Sequence, residues 1–220
     1  MSKLKDEKKI NIFLDLDQSI ISGEVLPNNE EEIDEDDEEE IYDIEKHKKK
    51  AMKFDFHNME NYYVIFARPG LQSFLDFLFK HFNVSVWTAA SKDYALFIID
   101  KIILAGHKER KLDYVFFNYH CKASDKLTGG TKSLSIMWDL IKDPKYNKNN
   151  TYILDDYDEV FNTQPENTII AKPFHFTEEG SENDDFLEQL KAKFKKLKKD
   201  MEKGKNEKVI SEINDGISHS

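Results

Sequence analysis

Cys121 is the only cysteine in the 220 residues. An intrachain disulfide and a thiolate zinc site are therefore excluded, and a reducing intracellular compartment, nucleus or cytoplasm, fits best. No apolar run approaches the length that spans a bilayer, and the opening "MSKLKDEKK" has neither an apolar signal core nor a glycine after Met1 for myristoylation. A soluble protein with no membrane partner is expected. His47, His57, His81, His107, His120 and His175 show no ligand spacing. The chain also lacks evenly spread acidity despite a net charge of −11: Glu30 to Glu45 holds 12 of the 43 acidic residues, which leaves 31 against 32 Lys plus Arg.

What is present reads as one domain with tails and an insertion. Residues 1–8 are a tail, 9–200 the domain, 24–62 an insertion with an acidic loop at 28–45, and 201–220 a frayed tail. "FDFHNMENYYVIFARPG" looks like a hairpin bringing that insertion back to the body. From Arg68 onward amphipathic helices alternate with short apolar strands. "RPGLQSFLDFLFKHF" feeds "NVSVWTAA"; "SKDYALFIIDKIILAG", capped by Ser91 and closed by Gly106, feeds "LDYVFFNY"; "TKSLSIMWDLIKD" feeds "NTYILDDYDE". "NTIIAKPF" adds an edge strand, and "DDFLEQLKAKFKKLKKDMEK" a last helix. Its basic run keeps helical apolar spacing, so a charged outer face is expected rather than a nucleic-acid patch. The alternation predicts an α/β fold with a mostly parallel sheet covered by helices on both faces, its ligand at the carboxyl ends of the strands.

Unusual polar residues fall at those strand ends: Asp15 and Asp17 after "INIFL", Thr88 after "VSVW", and Asp155 and Asp156 after "TYIL"; Lys132 opens a helix in an equivalent position. Crowded carboxylates need a cation or a shared proton between them. Hard oxygen ligands without a histidine cluster point to Mg2+, and Mg2+ bound through few carboxylates takes further ligands from a phosphate. In a phosphoryl transfer, Asp15 can attack and form an aspartyl phosphate. Asp17 can act as the acid and base, with its pKa raised by the neighbouring carboxylate. Asp15, Asp156 and the backbone carbonyl of Asp17 can hold the metal. The Thr88 hydroxyl and the Lys132 ammonium can grip phosphoryl oxygens, with the dipole of a helix start adding to the lysine charge.

"DLDQS", "WTAA", "TKSL" and "LDD", in that order, resemble the four motifs of the haloacid dehalogenase superfamily. More narrowly, "FLDLDQSII", "ARPGLQSFLDFL", "VWTAASKDYA" and "ILDDYDEVFNTQPENTIIAKPF" resemble the RNA polymerase II C-terminal-domain phosphatases, including the small and NLI-interacting-factor-like members. The resemblance spans about Lys9 to Phe194. It implies a Rossmann-like core with a small β-insertion, no large cap domain and hence an open site, and Mg2+-dependent removal of phosphate from phosphoserine or phosphothreonine in proteins, with the polymerase tail a candidate substrate.

Carried over onto this sequence, Asp15 matches the nucleophile and Asp17 the acid/base. Thr88 and Lys132 match the phosphate binders, with Ala89 beside Thr88, and Asp156 matches the metal ligand. Asp155 matches the preceding acidic position, grouped with the metal set, and Tyr94 an aromatic near the substrate. Ser19 stands where threonine is usual, Asn118 where small members have an arginine, and the extra carboxyl-terminal domain of larger members is not expected. Two other readings are a catalytically silent relative that binds peptides and a phosphatase of the same type acting on a non-protein phosphate.

Overall fold

A computed structural model describes residues 9–26, 44–202 and 209–215. Residues 1–8 and most of the acidic loop, expected at 28–45, lie outside the described residues. Five parallel strands form the central sheet: β1 (Asn11–Leu14), β5 (Asn83–Trp87), β6 (Leu112–Phe116), β7 (Thr151–Asp155) and β8 (Thr168–Ile170), in the order β6-β5-β1-β7-β8. The chain leaves β1 toward β5 and β6 on one side, then returns to place β7 and β8 on the other. β1 is therefore the switch point, and a crevice opens at the carboxyl ends beside it.

The period of two along β1 explains why both faces are covered. Ile12 and Leu14 join Val84, Val86 and Leu154 in one apolar cluster, while Phe13 points the other way into a second cluster with Trp87, Phe116, Ile153 and Met137. The first face receives helices α2 (Leu71–His81), α3 (Lys92–Ile98) and α6 (Phe186–Glu202), and Phe186, Leu187, Leu190, Phe194 and Leu197 of α6 are all buried there as their spacing requires. Ser91 caps α3 by accepting from the Tyr94 N–H, and the helix runs on as a π-helical turn, Ile99–Leu104, that ends at Ala105 and Gly106 in left-handed conformations.

The insertion is a second, antiparallel sheet in the order β2-β4-β3, made of β2 (Ile21–Val25), β3 (Phe56–Met59) and β4 (Tyr63–Ala67), with α1 (Ile44–Ala51) before β3. The expected hairpin is β3–β4. This sheet packs on the main body through Phe66 and Phe176, whose rings stack at 3.7 Å, together with Phe54 and Phe174.

Three sequence expectations give way. "TKSLSIMWDLIKD" forms only a π-helical turn over Ile136–Ile141, so Lys132 lies in a turn four residues before it and no helix dipole aids the lysine. Asn118–Thr128, left without a helix in the sequence, forms α4; it buries little beyond Cys121 and Ser124, too few positions to leave an apolar period. In the tail expected to fray, Val209–Asp215 forms α7 after the short α5 (Asp158–Thr163) and α6. Ile210 and Ile213 of α7 are buried, and the Asn214 side chain accepts from Ile170 N at 3.0 Å and donates to Thr168 O at 2.9 Å, which caps the edge strand β8.

Candidate active site

β1 and β7 are neighbours in register, with Leu14 beside Leu154, so the residues that follow them meet above the sheet. The Asp15 N–H donates to Leu154 O at 2.9 Å, which fixes its start. Its carboxylate is buried, and Oδ1 accepts from Lys132 Nζ at 2.6 Å; the same ammonium donates to Asp155 Oδ2 at 2.8 Å. Asp155 uses its other oxygen to accept from Tyr157 N at 3.0 Å. Asp156 accepts from the Ser19 hydroxyl at 3.2 Å, so the serine in the usual threonine position still reaches the site. Asp15, Asp155 and Asp156 each offer a carboxylate oxygen, and these atoms lie within 4.8 Å of one another.

The electrostatics follow from that crowding. Three carboxylates face one ammonium, an arrangement that is costly in a dry crevice unless another cation joins it. Burial, then the Asp15 charge, push Asp155 up to about 7 against the pull of Lys132. The same two causes raise Asp156. For Lys132, burial pulls down, but Asp15 and Asp155 outweigh it and hold the ammonium well above the ordinary lysine value. Among the described residues, Asp15, Asp155 and Asp156 form a group of hard oxygen donors that could hold a metal ion.

Asp17 turns away from this cluster and accepts from the Tyr94 hydroxyl at 2.5 Å. Burial pushes Asp17 up, the Tyr94 hydrogen bond pulls back, and the Asp15 charge adds a smaller rise, which leaves it at about 7. The neighbouring carboxylate, taken from sequence as the cause, is thus the lesser one. Thr88 is buried at the end of β5: its N–H donates to Phe116 O at 3.0 Å, and its hydroxyl oxygen accepts from Ala90 N at 3.1 Å. Ala89 is exposed between them. Asn118, at the carboxyl end of β6, donates its N–H to Ala90 O at 3.0 Å and so adjoins the same turn. Tyr94, expected as an aromatic near the substrate, is buried and donates its hydroxyl proton to Asp17.

Residues 10–205 match the NLI interacting factor-like phosphatase family. The chain belongs to that family. It is 44% identical over 184 residues to the CTD phosphatase-like protein 355R of Invertebrate iridescent virus 6, covering 82% of this chain and 94% of that one. It is 37% identical over 186 residues to its namesake in Invertebrate iridescent virus 3, covering 82% and 92%. Among solved structures it shares its fold with a variant of the fission yeast RNA polymerase II CTD phosphatase Fcp1 bound to beryllium fluoride, with a TM-score of 0.53, 22% identity and 90% of this chain covered. The chain spans only 53% of that protein's length.

Membership places the four quoted motifs in the haloacid dehalogenase type of phosphatase, as their order implied. Two residues without an assigned role in the sequence reading matter at this site. Arg68 of "RPG" is buried, pairs with Asp184 through two contacts of 2.8 Å, and donates to Ser19 O at 2.9 Å and Lys172 O at 2.7 Å, so it braces the loop that carries Asp17 and Ser19. Gly23 on β2 is the other. An arginine inside a quoted motif was a signal for the first; a glycine inside a strand was a faint one for the second.

Proposed function

We propose that this NLI interacting factor-like phosphatase is a Mg2+-dependent protein serine/threonine phosphatase working through Asp15. The observation that carries the reading is the convergence of Asp15, Asp155, Asp156 and Lys132 at the ends of adjacent parallel strands while Asp17 diverges. One oxygen of Asp15 is engaged by Lys132, and the other is left for phosphorus. As the bond from Asp15 to phosphorus forms and the ester P–O bond breaks, the Asp17 proton passes to the departing serine or threonine oxygen. Water then attacks the aspartyl phosphate, gives its proton to Asp17, and releases inorganic phosphate with Asp15 restored. Lys132 and the Thr88–Ala89 turn hold the phosphoryl oxygens. Bound Mg2+ supplies neutralisation of the carboxylates and of the incoming phosphate.

A protein substrate is favoured by the setting: Tyr157, directly after Asp156, is 56% exposed and Tyr119, beside Asn118, is 52% exposed, so the rim offers aromatic surface to an extended chain. The viral relatives named CTD phosphatase-like make the phosphorylated C-terminal domain of the polymerase a candidate.

In Mg2+ buffer, Asp15→Asn should lower turnover of p-nitrophenyl phosphate by about 10³-fold or more with the fold intact. Near-normal turnover in that variant removes Asp15 as nucleophile. Phosphopeptide binding by the parent protein without turnover would instead support a silent binding module.

A further inference from the structure

The Tyr94–Asp17 contact exists because of a residue in the other sheet. Gly23 sits in the middle of β2, paired with Ile65 of β4, and has no left-handed backbone angle that would demand glycine. The demand is steric. A Cβ at that position would overlap the Tyr94 hydroxyl oxygen outright and lie 3.2 Å from Asp17 Oδ1 and 3.3 Å from Tyr94 Cζ. The tyrosine has little room to withdraw, since its ring is buried and stands edge-on to Tyr63 of β4 at 5.1 Å. Two neighbouring strands of the insertion therefore hold one phenol: Tyr63 against its ring, Gly23 by making way for its hydroxyl.

We propose that Gly23 and Tyr94 are positioning residues for Asp17, through which the insertion sheet sets the direction in which the acid presents its proton. The inference rests on the phosphatase reading above and adds to it a role for the insertion. When the ester P–O bond breaks, the electron pair stays on the leaving oxygen. A serine alkoxide needs the Asp17 proton at that moment, whereas a nitrophenolate leaves with little help. Misplacing Asp17 should therefore harm alkyl phosphates selectively, which general loss of structure does not do.

The experiment compares the parent protein, Gly23→Ala, Tyr94→Phe and the double variant on a phosphoserine peptide and on p-nitrophenyl phosphate, each in Mg2+. Tyr94→Phe should lose about 10- to 100-fold in kcat on the phosphopeptide and no more than about threefold on the aryl ester. Gly23→Ala should reproduce that pattern, and its crystal structure should show the Tyr94 hydroxyl beyond hydrogen-bond range of Asp17. In the double variant the alanine should add almost nothing, because the oxygen it would strike is gone. Equal losses on both substrates, or losses that add in the double variant, would overturn the inference. Asp15→Asn run alongside separates the cases: if it still turns over either ester, the phosphatase reading itself fails.

Discussion

At the amino ends of β1, β5 and β7 the buried polar groups are neutral; at the carboxyl ends of β1 and β7 they are ionic. Asn11, fully buried at the start of β1, donates to Lys145 O at 2.9 Å and to Asn150 Oδ1 and Thr151 Oγ1 at 3.2 Å, and accepts from Asn83 at 2.8 Å. Asn167 completes the network on Lys148 O at 2.7 Å and Thr151 O at 2.8 Å. These amides spend their hydrogen-bonding capacity on each other and on loop carbonyls, so they fix how the strands align and hold nothing in reserve. The other end has three carboxylates for one ammonium, a surplus of charge that a bound cation or a proton would relieve. One end of the sheet is closed chemically, and the other is left open.

The largest effect that can break this contrast is at Lys132. Lys132→Met should cut turnover by about 10²- to 10³-fold, since it removes the buried charge that would hold the phosphoryl oxygens in the proposed reaction. It should also lower the melting midpoint at pH 7, because Asp15 and Asp155 then face each other unpaired. Turnover within a few-fold of the parent would show that the ionic end is merely structural. Asn11→Ala is the mirror test. It should cost about 2–3 kcal/mol in urea unfolding by leaving several buried partners unsatisfied, while turnover per folded molecule stays at the parent value. A loss of turnover at full folding would erase the division of labour between the two ends.

The ionic end was legible in the sequence, and the neutral end was not. An apolar strand that runs into acids, as "INIFLDLD" and "TYILDD" do, breaks the expected pattern at the place where the candidate site lies. Asn11 breaks it too, yet one amide in an apolar strand gives no hint that its partners stand some 70 to 140 residues away. The contacts that give Gly23 and Arg68 their roles were hidden for the same reason, since only the folded chain brings those segments together. Helices without an apolar period escaped as well. α4 buries few side chains, and α7 is only seven residues long, whereas the seventeen-residue α6, with its regular apolar stripe, could be read directly.

A carboxylate beside a cation is not enough to make a site, and Asp76 with Arg110 shows what else is needed. The Arg110 guanidinium is buried between α2 and the turn before β6, donates to Ile103 O and Gln72 Oε1, and reaches Asp76 Oδ1 at 2.7 Å, but the Asp76 side chain is 60% exposed. Here one carboxylate meets one cation in water's reach, so no charge is left over for a ligand. The Arg110 hydrogen bond holds the Asp76 carboxyl below its ordinary value, ahead of a small opposing effect of burial. With the folded value depressed, the pair contributes stability above the unfolded aspartate value of about 3.9 and loses it as pH falls through the folded one. Asp76→Asn, which keeps an oxygen for Arg110 and removes only the charge, should therefore be about 0.5–1 kcal/mol less stable at pH 7, less so in high salt. The gap should close on acidification below the folded value, and turnover should not change. Thermal melts across that pH range check the first point. A gap that persisted in strong acid would mean that the pair acts through packing rather than charge, and a fall in turnover would extend the ionic site well beyond the strand ends.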